Sequence, residues 1–264
     1  MNLAVTRSFV GTLSGTRLAC GLVAMAASLM TIAPTAASAA DDFSPAEKAL
    51  FMDNQLAKLR PPMALHYSFR KSGSMEENFD DKIDVALTPQ ADGTCCTATP
   101  QFFTGARQVR QPEVEVTQGN PVILYFLERD IREMERLTKG KSNYFRKRIR
   151  MAVFQGATIR NLTLPYRGQS VAVREIAIAP YADDPMRQRY DTLAGKQYLF
   201  LMSDAVPGGL YGIRTRIAAA AADAPPLIAE DMLIEGAAPA SALPPPMPSL
   251  LPVPLPASPT TKPS

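Results

Sequence analysis

Most of the middle of the chain alternates between apolar and polar residues, the pattern of strands with one buried face. The alternation recurs three times between residues 63 and 103, interrupted by the turn residues Ser72-Gly73-Ser74 and Asp92-Gly93. Four more such segments follow between residues 157 and 217. We therefore predict two antiparallel meanders, with strands over residues 63–70, 79–87, 95–103, 111–116, 159–164, 171–178, 197–202 and 210–217.

A helical repeat separates the two meanders. Ile123, Leu127, Ile131 and Met134 recur at the spacing that places side chains on one face of a helix. The same period continues after a short glycine-containing break, which predicts a second helix over residues 142–155. Helices of this size need a surface to cover, and the flanking strands provide one.

A third helix is predicted near the start of the folded region. Ser44-Pro45-Ala46-Glu47 has the residues of a capping box with proline in the first turn, and Pro61-Pro62 would end the helix. The pattern as a whole predicts an α+β fold. We expect an antiparallel sheet covered by a central helix pair and preceded by an N-terminal helix.

The chain begins with the features of a secretory signal peptide. Arg7 and Arg17 precede an apolar run over residues 18–32, and Ala37-Ser38-Ala39 supplies the small residues of a cleavage site. We interpret residues 1–39 as a signal peptide whose removal leaves no transmembrane anchor in a periplasmic or secreted protein. Without Arg7 and Arg17, 26 basic residues face 25 acidic ones, and this near balance argues against a nucleic-acid partner.

The composition changes again after Ile217. Residues 236–264 contain ten prolines and a single charged residue, Lys262. This composition favours an extended chain without a core. We therefore predict one α+β domain over residues 40–217 and a disordered tail rich in alanine and proline over residues 218–264.

Few residues point to catalysis or to a cofactor. His66 is the only histidine and lies out of phase with the apolar positions of its strand, so we expect it on the exposed side. The adjacent Cys95 and Cys96 allow three interpretations: a disulfide between neighbours, two small apolar strand residues, or a bond to another chain. We expect no catalytic residues, no metal ligands and no cofactor, and therefore no enzyme.

A basic run in the second predicted central helix is a candidate contact for anions. If Phe145 and Ile149 pack inward, Arg146, Lys147 and Arg150 share the solvent-exposed side of the helix. Such a side can contact lipid phosphates or another anionic surface of the cell envelope. The alternative is a solvated helix face that keeps the protein soluble.

The order of elements over residues 44–217 resembles the Lol-type carriers, which are periplasmic half-barrel proteins that transport lipoproteins. The stretch from Gly119-Asn120-Pro121 to Tyr144-Phe145-Arg146-Lys147-Arg148 also resembles uncharacterised exported proteins of Proteobacteria. The likeness to the carriers implies a sheet curved into a half-barrel, with acyl chains held on its apolar concave face beneath a helical lid. It implies a ligand cavity lined by the strand residues Leu65, Tyr67, Phe69, Ile83, Val85, Leu199 and Leu201. The lid over this cavity would contribute the ligand contacts Leu124, Phe126, Leu127 and Ile131.

We therefore expect a non-enzymatic periplasmic protein that binds a hydrophobic envelope component, either a lipid or a lipoprotein. The alternative is an envelope scaffold that binds a partner protein through its sheet edges or its proline-rich tail. Ordinary core packing would explain the same apolar positions. An open hollow beneath the helices would favour the carrier, and a filled interior would not.

Overall fold

The computed structural model describes residues 43–116, 118–221 and 224–244. These residues form a large open antiparallel sheet of nine strands together with three helices, which confirms the α+β class. The predicted signal peptide and residues 245–264 of the predicted tail lie outside the described residues. The elements are α1 (Pro45–Glu47), α2 (Pro121–Thr138), α3 (Ser142–Gln155), β1 (Met63–Ser72), β2 (Phe79–Pro89), β3 (Cys95–Phe102), β4 (Val114–Glu115), β5 (Thr158–Tyr166), β6 (Gln169–Ile178), β7 (Gln197–Met202), β8 (Leu210–Ile217) and β9 (Ile228–Ile234).

The nine strands are hydrogen-bonded in the order β4-β3-β2-β1-β9-β8-β7-β6-β5. Strands β1 to β4 form one meander and β5 to β8 form the other, in agreement with the alternation in the sequence. The two meanders belong to one sheet because β9 pairs antiparallel with both β1 and β8. The last strand in the chain is therefore central in the sheet.

The predicted end of the domain at Ile217 is wrong. All seven residues of β9 are buried, and the described fold continues to Pro244. The sequence hides this strand because a central strand covered on both faces lacks simple alternation. Its two acidic residues are also typical of a solvent-exposed segment. In the structure they are buried because Glu230 pairs with Arg129 and Asp231 pairs with Arg214.

The sheet is curved. Strand β5 is separated from β9 by three strands, yet Tyr166 at the end of β5 forms a bridge with Ala237, which follows β9. The Arg167 amide donates to the Gly236 carbonyl at 2.8 Å, and the Tyr211 hydroxyl donates to the Pro165 carbonyl at 2.7 Å. These contacts require the β5–β6 hairpin to bend back toward the middle of the sheet.

The N-terminal helix is shorter than predicted. The capping box at Ser44 and Glu47 is present, but α1 passes into a single π-helical segment, Lys48–Met52, and ends there rather than at Pro61-Pro62. The Asp53 carbonyl then accepts a hydrogen bond from the Gly119 amide at 3.2 Å. Asp53 has extended backbone angles, so the helical segment ends there and the apolar residues that follow, Leu56 and Leu59, do not continue it.

The start of α2 is fixed by a buried asparagine. The Asn120 side-chain oxygen accepts a hydrogen bond from the Val122 amide at 2.9 Å, and its nitrogen donates to the Gly208 carbonyl at 2.7 Å. Further along α2, the Tyr125 hydroxyl donates to the Ala98 carbonyl in β3 at 3.0 Å. The helix therefore runs across the same face of the sheet on which the β1 and β2 core residues lie.

Candidate functional site

The residues expected to line a ligand cavity on β1 and β2 are packed in the core. Leu65, Tyr67, Phe69, Ile83 and Val85 are each at most 2% exposed and belong to one continuous hydrophobic cluster. The helix residues predicted to cover them join the same cluster, namely Phe126, Leu127 and Ile131. Side chains fill the space beneath α2 here, so the expectation of an open hollow lined by these residues is wrong.

Three other predicted lining residues point elsewhere. Leu124 is 53% exposed on the outer side of α2. Leu199 and Leu201 alternate along β7 with Tyr198, whose hydroxyl donates to Asp130 of α2, so both leucines lie on the opposite face of the sheet. The sequence pattern could not show this because every residue of β7 is apolar or aromatic after Gln197.

The structure contains a different candidate site, a cleft of about 630 Å³ at the edge of the core. We call it the arginine cleft. It lies between α2, the β1–β2 connection and the loop that follows β3. Its lining residues are Lys71, Glu76, Glu77, Phe79, Phe103, Ala106, Arg107, Val109, Arg129, Arg132, Glu133 and Arg136.

Arg129 is one of two buried cations of the arginine cleft; its side chain is 8% exposed and that of Lys71 is 7% exposed. Arg129 Nη2 donates to Glu230 Oε1 at 2.8 Å, whereas its buried Nη1 has no hydrogen-bond partner among the described residues. Burial opposes the charge, but the attraction of Glu230 outweighs it and raises the pKa of Arg129 above its ordinary value. A guanidinium nitrogen that stays charged and unpaired is a donor poised for an anion.

A second set of charges forms the rim of the arginine cleft. Lys71 Nζ contacts Glu76 and lies 3.0 Å from Glu133 Oε1, while Arg136 contacts both carboxylates. Burial raises the pKa of Glu133, but the hydrogen bonds from Arg136 and Lys71 and the charges of Lys71 and Arg129 together outweigh burial, so the pKa of Glu133 falls well below its usual range. Arg132 is different because it donates only to the Arg110 carbonyl, at 3.4 Å, and remains exposed.

Aromatic rings form the apolar wall of the arginine cleft. The Phe103 ring lies 4.6 Å from that of Phe69 and 5.7 Å from that of Phe79, measured between centroids. The Arg129 guanidinium carbon lies 5.1 Å and 5.4 Å from the Phe69 and Phe103 centroids. Phe103 adopts a φ of 64°, a left-handed conformation that is rare for an aromatic residue and concentrates at functional positions.

Comparisons with family models, curated proteins and solved structures find no match for this chain. The resemblance to the Lol-type carriers therefore stays a prediction.

The predicted anion-contact residues of α3, Arg146, Lys147 and Arg150, lie around one hollow but differ in their ion pairing. Arg146 forms a bidentate pair with Glu128 of α2, at 2.8 Å through each nitrogen, so its charge is already balanced. Lys147 and Arg150 remain exposed, and together with Arg146 they line a hollow of about 480 Å³. The predicted basic face is therefore reduced to two cations.

The remaining chemical candidates are accounted for. His66 is on the exposed side as predicted, with Nδ1 2.6 Å from Asp84 Oδ1. Cys95 and Cys96 form a disulfide between neighbours, the first of the three interpretations.

The described ranges contain no cluster of three or more ligands for a metal ion. In that same part of the chain no helix is long and apolar enough to cross a membrane.

Sequence reasoning missed the arginine cleft, although one signal was available. Arg129, Arg132 and Arg136 repeat at helical spacing beside the apolar stripe of α2, where charged residues usually face solvent. Arg129 instead lies on the buried side. Only the position of Glu230 in β9, which lies 101 residues further along the chain, explains why its charge is tolerated there.

Proposed function

We propose that this protein is a non-catalytic envelope protein that binds an anionic amphiphile, a molecule with a charged head and an apolar body, in the arginine cleft. The observation that carries the proposal is the buried Nη1 of Arg129, which is charged, unpaired and placed beside an aromatic wall. Export by a signal peptide to the periplasm or cell exterior remains part of the proposal.

The head of the ligand is proposed to lie between Arg129 and Arg132. Arg129 Nη1 has no hydrogen-bond partner among the described residues, and Arg132 forms no salt bridge there, although its charge helps to lower the pKa of Glu128, which is paired with Arg146. Lys71 and Arg136 are instead neutralised by Glu76 and Glu133. Guanidinium groups bind carboxylates and phosphates through charge-assisted hydrogen bonds. Both head groups are therefore compatible with this position.

The apolar body of the ligand is proposed to lie along Phe79, Phe103 and Val109. These side chains line the arginine cleft, and its volume of about 630 Å³ falls in the range of sites that hold small molecules, about 300–1,000 Å³. The ligand would lie at the edge of the core rather than inside it. This arrangement keeps the ligand class that we expected and moves its binding site.

The finer architecture belongs to the same proposal. We propose that the curved sheet is a half-barrel and that α2 and α3 cover it, with α1 at the margin. The supporting observations are the buried faces of α2 and α3, which contribute Phe126, Ile131, Phe145 and Ile149 to the common core. In this proposed half-barrel α2 and α3 pack tightly against the sheet, and the ligand site is the arginine cleft at the edge of the core.

Calorimetric titration with four probes tests the proposal. Dodecanoate and dodecyl phosphate carry the two anionic heads, dodecyltrimethylammonium carries the same chain with a cationic head, and acetate carries a head without a chain. We expect binding of at least one anionic amphiphile and none of the other two probes. Equal binding of the cationic amphiphile would show that only apolar contact is involved, and absence of binding by both anionic probes would refute the proposal.

Variants locate the binding site. Arg132→Gln removes an exposed cation and is expected to weaken binding about fivefold, since one such charge contributes about 1 kcal/mol. The double variant Arg129→Met/Glu230→Gln removes the buried donor without leaving an unpaired carboxylate, and should weaken binding at least about tenfold. Arg110→Gln is the matched control, because this exposed arginine is a neighbour outside the lining of the arginine cleft.

Partner binding through a sheet edge is the second candidate function. Strand β5 is nine residues long, pairs on one side with β6, and has no strand on its other side within the described ranges. Apart from Tyr166, which bridges Ala237, this edge is open among the described residues and can accept a strand from another protein. Thr163→Lys, which places a charge on that edge, should abolish capture of such a partner, whereas deletion of residues 245–264 should not. Loss of capture only on deletion would assign the partner to the proline-rich tail instead.

A further inference from the structure

The outer face of α3 carries a second surface feature that does not depend on the arginine cleft. We infer that this face binds the surface of an anionic phospholipid bilayer, with its cations at the phosphates and its apolar side chains at the boundary between the headgroups and the acyl chains. We call it the α3 face and define it by Asn143, Lys147, Arg150, Met151 and Phe154.

The α3 face is opposite the side that anchors the helix. Phe145, Ile149 and Val153 are buried at spacings of four residues, which fixes the rotation of α3 about its axis. Residues 147, 150, 151 and 154 then fall on the other side of the helix. Phe154 is 49% exposed and Met151 is 37% exposed, so two large apolar side chains lie in solvent next to the two cations.

A further aromatic side chain lies close to the end of the α3 face. The Ser44 hydroxyl donates to the Val153 carbonyl at 3.2 Å, and this bond holds the start of α1 against the last turn of α3. Phe43, the residue before Ser44, is 44% exposed. Exposed aromatic residues beside cations are typical of helices that lie in a membrane interface.

The charge of the α3 face is positive and unbalanced. Lys147 and Arg150 have no acidic partner among the described residues, in contrast to Arg146, which is paired with Glu128. The one acid lining the same hollow is Glu47, whose carboxylate accepts a hydrogen bond from the Ser44 amide at 2.9 Å and keeps its negative charge, so the cations Lys147 and Arg150 still outnumber it. The α3 face therefore complements an anionic surface.

A bilayer fits this combination better than a soluble anion. A free phosphate would use the two cations and leave Phe154 and Met151 in water, whereas a bilayer interface contacts both kinds of side chain at once. Each cation near an anionic leaflet contributes about 1 kcal/mol, and apolar burial adds to that contribution. Two cations and two large apolar residues predict weak and reversible association rather than insertion.

Co-sedimentation with vesicles tests the inference. The protein is expressed with its own leader and purified after export, so that any signal peptide is removed before the assay. We expect binding to vesicles of phosphatidylglycerol with phosphatidylethanolamine and none to vesicles of phosphatidylcholine alone. Lys147→Gln/Arg150→Gln should reduce the partition coefficient about 30-fold, and Met151→Ser/Phe154→Ser should reduce it about tenfold.

A charge-matched pair provides the control. Arg187→Gln/Arg189→Gln removes two exposed cations from a loop distant in sequence from α3, and should leave vesicle binding within about twofold of the parent. Equal loss in both pairs would mean that only net charge matters, which would overturn the inference. Far-UV circular dichroism confirms that each variant is folded.

The outcome is separable from that of the proposed function. Arg132→Gln should weaken dodecanoate binding and leave vesicle binding unchanged, while Lys147→Gln/Arg150→Gln should do the reverse. Vesicle binding that disappears in Arg132→Gln but survives in Lys147→Gln/Arg150→Gln would place the phospholipid contact in the arginine cleft and refute a role for the α3 face.

Discussion

Removing Arg129 should destabilise the fold in a way that depends on pH. Arg129→Met leaves the Glu230 carboxylate, which is 1% exposed, without the guanidinium that balances it. A buried charge whose partner is removed typically costs 3–5 kcal/mol, roughly, because the desolvated ion is no longer compensated. Glu230 lies in β9, the strand that joins the two meanders. Its loss of a partner should therefore lower the free energy of unfolding of the whole fold.

The magnitude follows from the pKa of Glu230. Burial raises that pKa, but Arg129 and the more distant Lys196 outweigh burial and lower it from 4.5 to about 2. This difference corresponds to about 3 kcal/mol of stability. Since the folded-state pKa is depressed, the contribution is fully present above pH 4.5 and is lost as the pH falls toward 2. The gap between the parent and Arg129→Met should therefore be widest near pH 7 and shrink by about 1 kcal/mol at about pH 3.5.

Urea unfolding followed by far-UV circular dichroism measures both quantities, because the chain has no tryptophan to report on its core. The double variant Arg129→Met/Glu230→Gln is the control, since its amide can still accept the hydrogen bond that Thr215 donates to Glu230 at 3.0 Å. It should recover most of the lost stability. A loss below about 1 kcal/mol in Arg129→Met at pH 7, or a double variant no more stable than the single one, would refute the account of this pair.

Three further predictions follow from the core, the domain end and the leader. Leu65→Ala should cost about 2–5 kcal/mol in urea unfolding because Leu65 is 1% exposed in a packed core, whereas Leu124→Ala on the exposed side of α2 should change stability by less than about 0.5 kcal/mol; equal effects would indicate an open hollow at Leu65. A chain ending at Ile217 should show no cooperative thermal unfolding because it lacks β9, whereas a chain ending at Pro244 should unfold like the parent; a folded shorter chain would contradict the central position of β9. Mass spectrometry of the exported protein should give Ala40 as its first residue, and an intact leader would remove the argument for export.

The fold was largely predictable from periodicity. The alternation of Leu65, Tyr67 and Phe69 with polar neighbours identified β1, and the helical spacing of Phe145 and Ile149 identified α3 with its observed ends. These predictions depend on which side of a helix or strand is buried, and the period of the apolar residues indicates that side directly. Strand β9 shows no such alternation, because it is buried on both faces and because its acidic residues pair with residues that are distant in sequence.

The candidate site was much less predictable than the fold. The apolar residues chosen as ligand contacts were correctly placed in the interior on β1 and β2, but periodicity cannot distinguish a cavity wall from a filled core. The arginine cleft depends instead on the approach of α2 to the β1–β2 connection and to Phe103, whose left-handed backbone has no sequence signature. Such juxtapositions arise from tertiary packing alone.

The way α2 is attached to the sheet explains why a ligand site at the edge is more plausible physically than one beneath the helix. Three charged residues on α2 are paired with three different parts of the sheet region: Arg129 with Glu230 at 2.8 Å, Asp130 with Lys196 at 2.5 Å, and Glu133 with Lys71 at 3.0 Å. Lifting the helix would separate all three pairs, and leaving even one buried ion without its partner costs about 3–5 kcal/mol. An opening that cost on the order of 10 kcal/mol would be populated about once in 10⁷ molecules, too rarely for α2 to act as a moving lid. Ligand entry at the arginine cleft requires none of these separations, because the Arg129 nitrogen proposed to bind the ligand is the one that Glu230 leaves unused.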